Sequence, residues 1–137
     1  MTIQARQALL LKSFFARGAE CSYPRPFIVI ENTGSVIRAI NVSSIEPSKL
    51  HKLGFPSNKE IPNCIPPLGK PSFAQLDEIY EFEIFDGFEK AILAGGRQLN
   101  QTSFDNLLEQ QSVYGRTNTI LTCSVPVQEI KSRNPHL

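Results

Sequence analysis

Pro24-Arg25-Pro26-Phe27-Ile28-Val29-Ile30, followed by Glu31-Asn32-Thr33-Gly34-Ser35 and a second apolar run from Val36, is the stretch that decides the fold. Each proline fixes its own φ and pushes the residue before it into an extended conformation, so Arg25 is pre-set as an extended residue. Residues 27–30 are continuously apolar, the pattern of a buried strand. Residues 31–35 have the composition of a tight turn. Val36 to Ile45 resumes the strand pattern, with Val36, Ala39, Ile40 and Val42 expected to face inward. A hairpin of 27–30 with 36–43 follows. Counting outward from the turn pairs position 30 near 36 and position 25 near 41–43, which brings Arg25 to the same open end as Ser43 and Ser44.

The bulk numbers fit that start. The chain has 137 residues, enough for one domain with its own core and too few for two. Its net charge is +1, so a nucleic-acid footprint has to come from local clustering. The three cysteines, at 21, 64 and 123, are odd in number and far apart. That argues against a disulfide framework or a zinc cluster and suits a reducing, cytoplasmic setting. The apolar run Ala8 to Leu11 is cut by Lys12 and is too short for a signal segment or a membrane span.

Outward from the hairpin, Leu9 to Phe15 predicts a first strand, and Ala16 to Tyr23 a loop. Six of the ten prolines fall within 46–71, at 47, 56, 62, 66, 67 and 71. Proline removes ladder donors, so this segment is expected to be a surface excursion with at most a short edge strand near Lys59–Ile61. Lys49, Lys52, Lys59, Lys70 and His51 make it locally basic. A phosphate-facing loop and a solvated connection both fit. Ile79 to Ile84 alternates as a half-buried strand, and Lys90 to Ala94 predicts a short strand or linker. Asn100 to Ser103 supplies capping residues, with Asp105 three after Thr102. Phe104, Leu107 and Leu108 form a helical stripe, and Gly115 is a stop, so a helix is expected over about 103–113. Thr119 to Val125 predicts a last edge strand ended by Pro126, and from about residue 127 a loose tail. The expected class is therefore mostly β with one α-helix: a small antiparallel barrel with a C-terminal helix packed on it.

The usual catalytic sets are scarce. There is no Gly-x-Ser-x-Gly, no phosphate loop and no Cys-x-x-Cys. The two histidines, His51 and His136, give neither an acid–base pair nor a metal set, and no metal or cofactor is expected. What remains is Arg25 with Ser43 or Ser44. A cation and a hydroxyl donor at one pocket mouth suit a phosphoryl centre that gains negative charge. A rim arginine beside a strand-ending serine pair fits the same residues without chemistry.

Gly18-Ala19-Glu20 with Pro24-Arg25-Pro26-Phe27-Ile28-Val29-Ile30 resembles the opening motif of the MazF/PemK family of endoribonuclease toxins. That motif has a Gly-x-Glu turn, then Arg-Pro after four more residues, then an apolar strand. Ile37 to Ser44 resembles the family's next strand, which ends in an active-site Thr or Ser, with Ser43 the best match. Phe73 to Ile79 resembles a later strand in which Asp77 matches an acidic position and Glu78 stands where Gln is usual. Leu99 to Gln110 resembles the terminal helix. The first strand lacks the family's acidic-Pro ending, the 46–71 excursion is long, and the chain continues past the helix.

The resemblance implies an SH3-like barrel that cleaves single-stranded RNA without metal. The ribose 2′-hydroxyl attacks the adjacent phosphorus, leaving a 2′,3′-cyclic phosphate and a 5′-hydroxyl. Arg25 would stabilise charge on the phosphoryl group and Ser43, or Ser44, would hydrogen-bond it. An arginine is almost never deprotonated at neutral pH, so Arg25 is assigned electrostatics first and proton transfer second, with His51 or Glu20 as the alternative proton carriers if the loop closes. Tyr23 or Phe55 would stack on bases, and Lys49, Lys52, Gln75 and Asp77 complete the expected substrate-binding set. The implied partners are an antitoxin, protein or RNA, and a second copy in a homodimer. The competing expectation is a non-catalytic SH3-like module that binds RNA or a protein.

Overall fold

The computed structural model of the chain describes residues 2–13 and 22–137. Among the described residues, seven strands form one sheet: β1 (Ala8–Leu11), β2 (Arg25–Asn32), β3 (Val36–Ser44), β4 (Asn58–Ile61), β5 (Ser72–Gln75), β6 (Glu78–Glu83) and β7 (Leu121–Val125). Two helices follow the strand-rich part: α1 (Gln101–Gly115) and α2 (Val127–Arg133), the latter after β7. Short 3-10 helices cover Pro47–Gly54, Phe88–Ala91 and Ala94–Gly96. Among the described residues, no helix is long and apolar enough to cross a membrane.

The β2–β3 hairpin is the centre of the sheet, as its apolar run and turn composition predict. The pairing is antiparallel, with Asn32 opposite Ile37, Val29 opposite Ala39 and Phe27 opposite Asn41. A bulge between Val29 and Glu31 shifts the register by one residue. Position 30 therefore does not sit opposite 36, yet the shift leaves the open end where it was expected. Carrying the Phe27–Asn41 register two residues further sets Arg25 against Ser43. At the turn, Gly34 has φ +92°, a backbone that favours glycine, and its N–H donates to Asn32 Oδ1.

β3 is long enough to serve two neighbours along its other edge. Val36–Ala39 pairs with β6, and Val42–Ser44 pairs with β5, setting Ser43 against Phe73 and Ser44 against Ser72. β1 lies on the far side of β2, with Leu11 against Arg25, and β4 closes the outer edge of β5. Every strand pairing among the described residues is antiparallel except β6 with β7. Among the described residues the strand path runs β1-β2-β3-β5-β4 with β6 and β7 branching from β3, an open sheet rather than the closed barrel expected. The branching at β3 is the physical reason: its edge is divided between two strands.

Alternation along β2 and β3 separates two apolar layers. Phe27, Val29, Ile37 and Ala39 face one layer with Tyr80, Phe82, Phe88, Val125 and Ile130. Ile28, Ile40 and Val42 face the other with Ala74, Leu76, Leu99, Phe104 and Leu107, so α1 covers that side. In α1 the N-cap is Asn100, whose side chain accepts from the Ser103 N–H, rather than a box built on Thr102 and Asp105. The buried stripe is Phe104, Leu107 and Gln111, while Leu108 is 37% exposed. Asn100→Ala should lower stability by about 1 kcal/mol, read from the shift in urea midpoint.

Three expectations change. The 46–71 segment is not only a surface excursion, because Ile61, Cys64 and Leu68 reach into the second layer. Residues 90–94 take the linker rather than the strand form: 90–91 end one 3-10 helix, 94 begins the next, and between them Ile92 makes an isolated bridge to Leu9. The tail is docked rather than loose, since α2 buries Ile130 and the Asn134 side chain pairs with both the N–H and the carbonyl of Lys12. One apolar residue per turn was too weak a periodic signal to reveal that helix.

Candidate functional site

At the Ser44 end of β3 the sheet opens into a pocket of about 310 Å³. Its apolar floor comes from Leu10, Pro26, Val42, Leu68 and Leu93, and its polar wall from Tyr23, Arg25, Ser43, Ser44, Lys49, Lys70 and Ser72. Three of these lining residues are cationic, and among the described residues none is a carboxylate, a histidine or a cysteine.

Each polar group is placed by an identifiable local feature. Arg25 opens β2 between its two prolines and is only 8% exposed, with its guanidinium carbon 5.8 Å from the centre of the Tyr23 ring. That is within cation–π range, so the half-exposed Tyr23 ring leans on the cation at the pocket rim. Ser43 is 4% exposed, and its hydroxyl accepts from Lys49 Nζ at 3.2 Å. Lys49 arrives on the 3-10 helix that Pro47 starts immediately after β3. Arg25, Asn41 and Ser43 occupy alternate positions continuing the Phe27 face, so the polar wall is the end of an apolar layer rather than a separate structure.

Ser44 is engaged differently: its hydroxyl donates to Glu46 Oε1 at 3.0 Å. The same carboxylate oxygen lies 3.8 Å from Lys70 Nζ. The backbone beneath Lys70 is anchored, because its carbonyl accepts from Ser72 Oγ at 2.9 Å and from Cys64 Sγ at 3.3 Å. Burial pushes the Cys64 thiol above its ordinary pKa.

The structure thus brings together Arg25, Ser43, Ser44, Tyr23 and Lys49 from the expected set. It does not bring His51, Lys52, Gln75 or Asp77 to the pocket lining. His51 packs edge-on against Phe55, with ring centres 6.3 Å apart. Lys52 is one 3-10 turn beyond Lys49, on the outer reach of that short helix. Gln75 lies about 10 Å along β5 from Ser72, at about 3.3 Å per residue, and pairs with Asn58 on β4. Asp77 falls in the turn beyond it, where its carbonyl accepts from the Leu121 N–H. Glu20 and the Gly-x-Glu run lie outside the described residues. Lys70, Ser72 and Glu46 were missed as site residues; Lys70 and Ser72 flank Pro71, and only the β3–β5 pairing delivers them to the pocket.

No protein-family description matches the chain, and no curated protein does. Among solved structures it is similar to an endoribonuclease in complex with its cognate antitoxin from Mycobacterial species, with a TM-score of 0.54. The match covers 85% of this chain and 98% of that one at 7% sequence identity. At that identity the likeness shows the fold: a mostly antiparallel β-sheet with a helix after the central strands, arranged as in that endoribonuclease.

Proposed function

We propose that the chain is a toxin-type endoribonuclease that cleaves single-stranded RNA at the Arg25 pocket. The observation that carries this reading is the convergence of Arg25, the Lys49–Ser43 hydrogen bond and Lys70 on one pocket whose described lining holds no carboxylate. A phosphodiester seated there meets the planar fork of Arg25, which matches two non-bridging oxygens, and the point charge of Lys49. The fold likeness to an endoribonuclease supports the same reading.

In the proposed reaction the ribose 2′-oxygen attacks the neighbouring phosphorus, its proton passing to solvent, and the bond from phosphorus to the 5′-oxygen breaks. Arg25 stabilises the charge gathering on the non-bridging oxygens, in the manner of an oxyanion site. Ser43 Oγ, held by Lys49, orients the same group, and the Lys49 ammonium donates a proton to the departing 5′-oxygen and is reprotonated from solvent. The products are a 2′,3′-cyclic phosphate and a 5′-hydroxyl. No step requires a metal. Tyr23, half-exposed beside Arg25, supplies a face for a flanking base. An antitoxin that covers this pocket is the partner the reading implies, and the complex in which the structural neighbour was solved supports it. A homodimer belongs to the same proposal.

A long single-stranded RNA incubated with the protein in excess EDTA should yield discrete fragments. RNA that is bound but stays intact would instead identify a non-catalytic binding module.

A further inference from the structure

Glu46 is the residue at the pocket rim that the proposed reaction leaves unused. It stands at the start of the 3-10 helix Pro47–Gly54, where a carboxylate ordinarily accepts from the first free backbone N–H groups. Its side chain makes no such cap. The backbone carbonyl of Glu46 takes the Lys49 N–H at 2.8 Å, and the carboxylate turns the other way. One oxygen, Oε1, accepts from Ser44 Oγ at 3.0 Å and lies 3.8 Å from Lys70 Nζ. Both of those partners line the pocket, whereas Glu46 itself stands outside its lining. The Lys70 side chain is 71% exposed and Glu46 is 41% exposed, so the ion pair forms in solvent reach above an anchored backbone. Such a pair is worth at most about 1 kcal/mol and is readily exchanged.

We propose that Glu46 is an internal anion that an incoming phosphodiester displaces from Lys70, and that it thereby sets the threshold for polyanion binding at this pocket. In the unliganded pocket, Glu46 neutralises the outermost of the three lining cations and keeps the Ser44 hydroxyl turned away from substrate. When a strand binds, a backbone phosphate replaces the carboxylate at Lys70. Ser44 then keeps Glu46 within reach for rebinding after release. Glu46 is a positioning residue in this account: it touches Lys70 and Ser44, not the reacting atoms. The inference rests on the pocket being a phosphodiester site.

The test uses the full chain and a fluorescent single-stranded 2′-O-methyl oligoribonucleotide, which keeps the phosphates but lacks the nucleophile and is not cut. Glu46→Gln keeps the shape and the acceptor for Ser44 while removing the charge. It should tighten binding about two- to fivefold at low salt, the most that a pair of about 1 kcal/mol allows, and the gain should shrink as salt screens the Glu46–Lys70 pair. In a Lys70→Gln background the same change should do nothing, because the two residues act as one pair. A role confined to structure would weaken binding or leave it unchanged, and either result in a folded Glu46→Gln protein overturns the inference. Equal tightening with and without Lys70 overturns it as well. Arg25→Ala, run alongside, reports on the site reading separately: unchanged binding in that variant would remove Arg25 from the phosphate site whatever Glu46→Gln does.

Discussion

Arg25→Ala reduces RNA cleavage at least a hundredfold while the protein stays folded. The expectation follows from where the charge sits. A preorganised donor aimed at developing charge in a shielded site is worth about 10²–10³ in rate when removed. Arg25 is 8% exposed, the most buried of the three lining cations, and the register carried on from Phe27–Asn41 sets it against Ser43. Lys49 and Lys70 remain in the variant, so binding should weaken less than turnover, giving a larger fall in kcat than rise in KM. Arg25→Lys separates charge from geometry. A lysine restores the positive charge but not the planar two-pronged contact, and should recover activity only in part. The measurement is initial cleavage rate on a labelled RNA, with far-UV circular dichroism as the check on folding. Wild-type rates in Arg25→Ala would remove the central residue of the mechanism.

The second large effect is on stability. Phe27→Ala should cost about 3–5 kcal/mol, the usual range for deleting a buried aromatic ring. Phe27 is 2% exposed and packs edge-on against both Tyr80 and Phe82, each with ring centres 5.1 Å away. Those two rings come from β6, on the other side of β3, so Phe27 ties three strands together across the hairpin that carries Arg25. A loss of that size is a large share of the stability of a domain this small. Urea unfolding of the two proteins reads it directly; a loss under about 1 kcal/mol would show that the aromatic cluster is not what holds β2 in place.

The hairpin was legible because its signals are local. An uninterrupted apolar run, a turn with glycine where φ must be positive and a resumed strand specify the pairing, and the pairing places Arg25 against Ser43 even though a bulge shifts the register near the turn. Lys49 was within reach of the same reading because it follows β3 by one turn of helix. Lys70 and Ser72 were not, since they are far from Arg25 in sequence and come to the pocket only because β3 divides its outer edge between β5 and β6. That division is a property of strand pairing and leaves no mark in composition or period. The same choice explains why an open sheet stands where a barrel was expected.

Asp77 shows the opposite case. Matching it by motif to an acidic position suggested a site residue, yet β5 runs away from the pocket after Ser72 and carries Asp77 into the next turn. His51 was attractive as a scarce titratable group in a basic segment, and its ring instead packs on Phe55. Residue type nominated both; strand direction and side-chain packing place both outside the pocket lining. Glu46 gave no signal in a segment expected to be a surface excursion, and only its side-chain partners reveal that it faces the pocket rim.

The most direct test of the central claim is mass analysis of the RNA ends left by the wild-type protein in EDTA. Attack by the 2′-hydroxyl within the Arg25 pocket predicts fragments that end in a 2′,3′-cyclic phosphate and begin with a 5′-hydroxyl. Fragments that begin with a 5′-phosphate, or RNA left uncut, would contradict it.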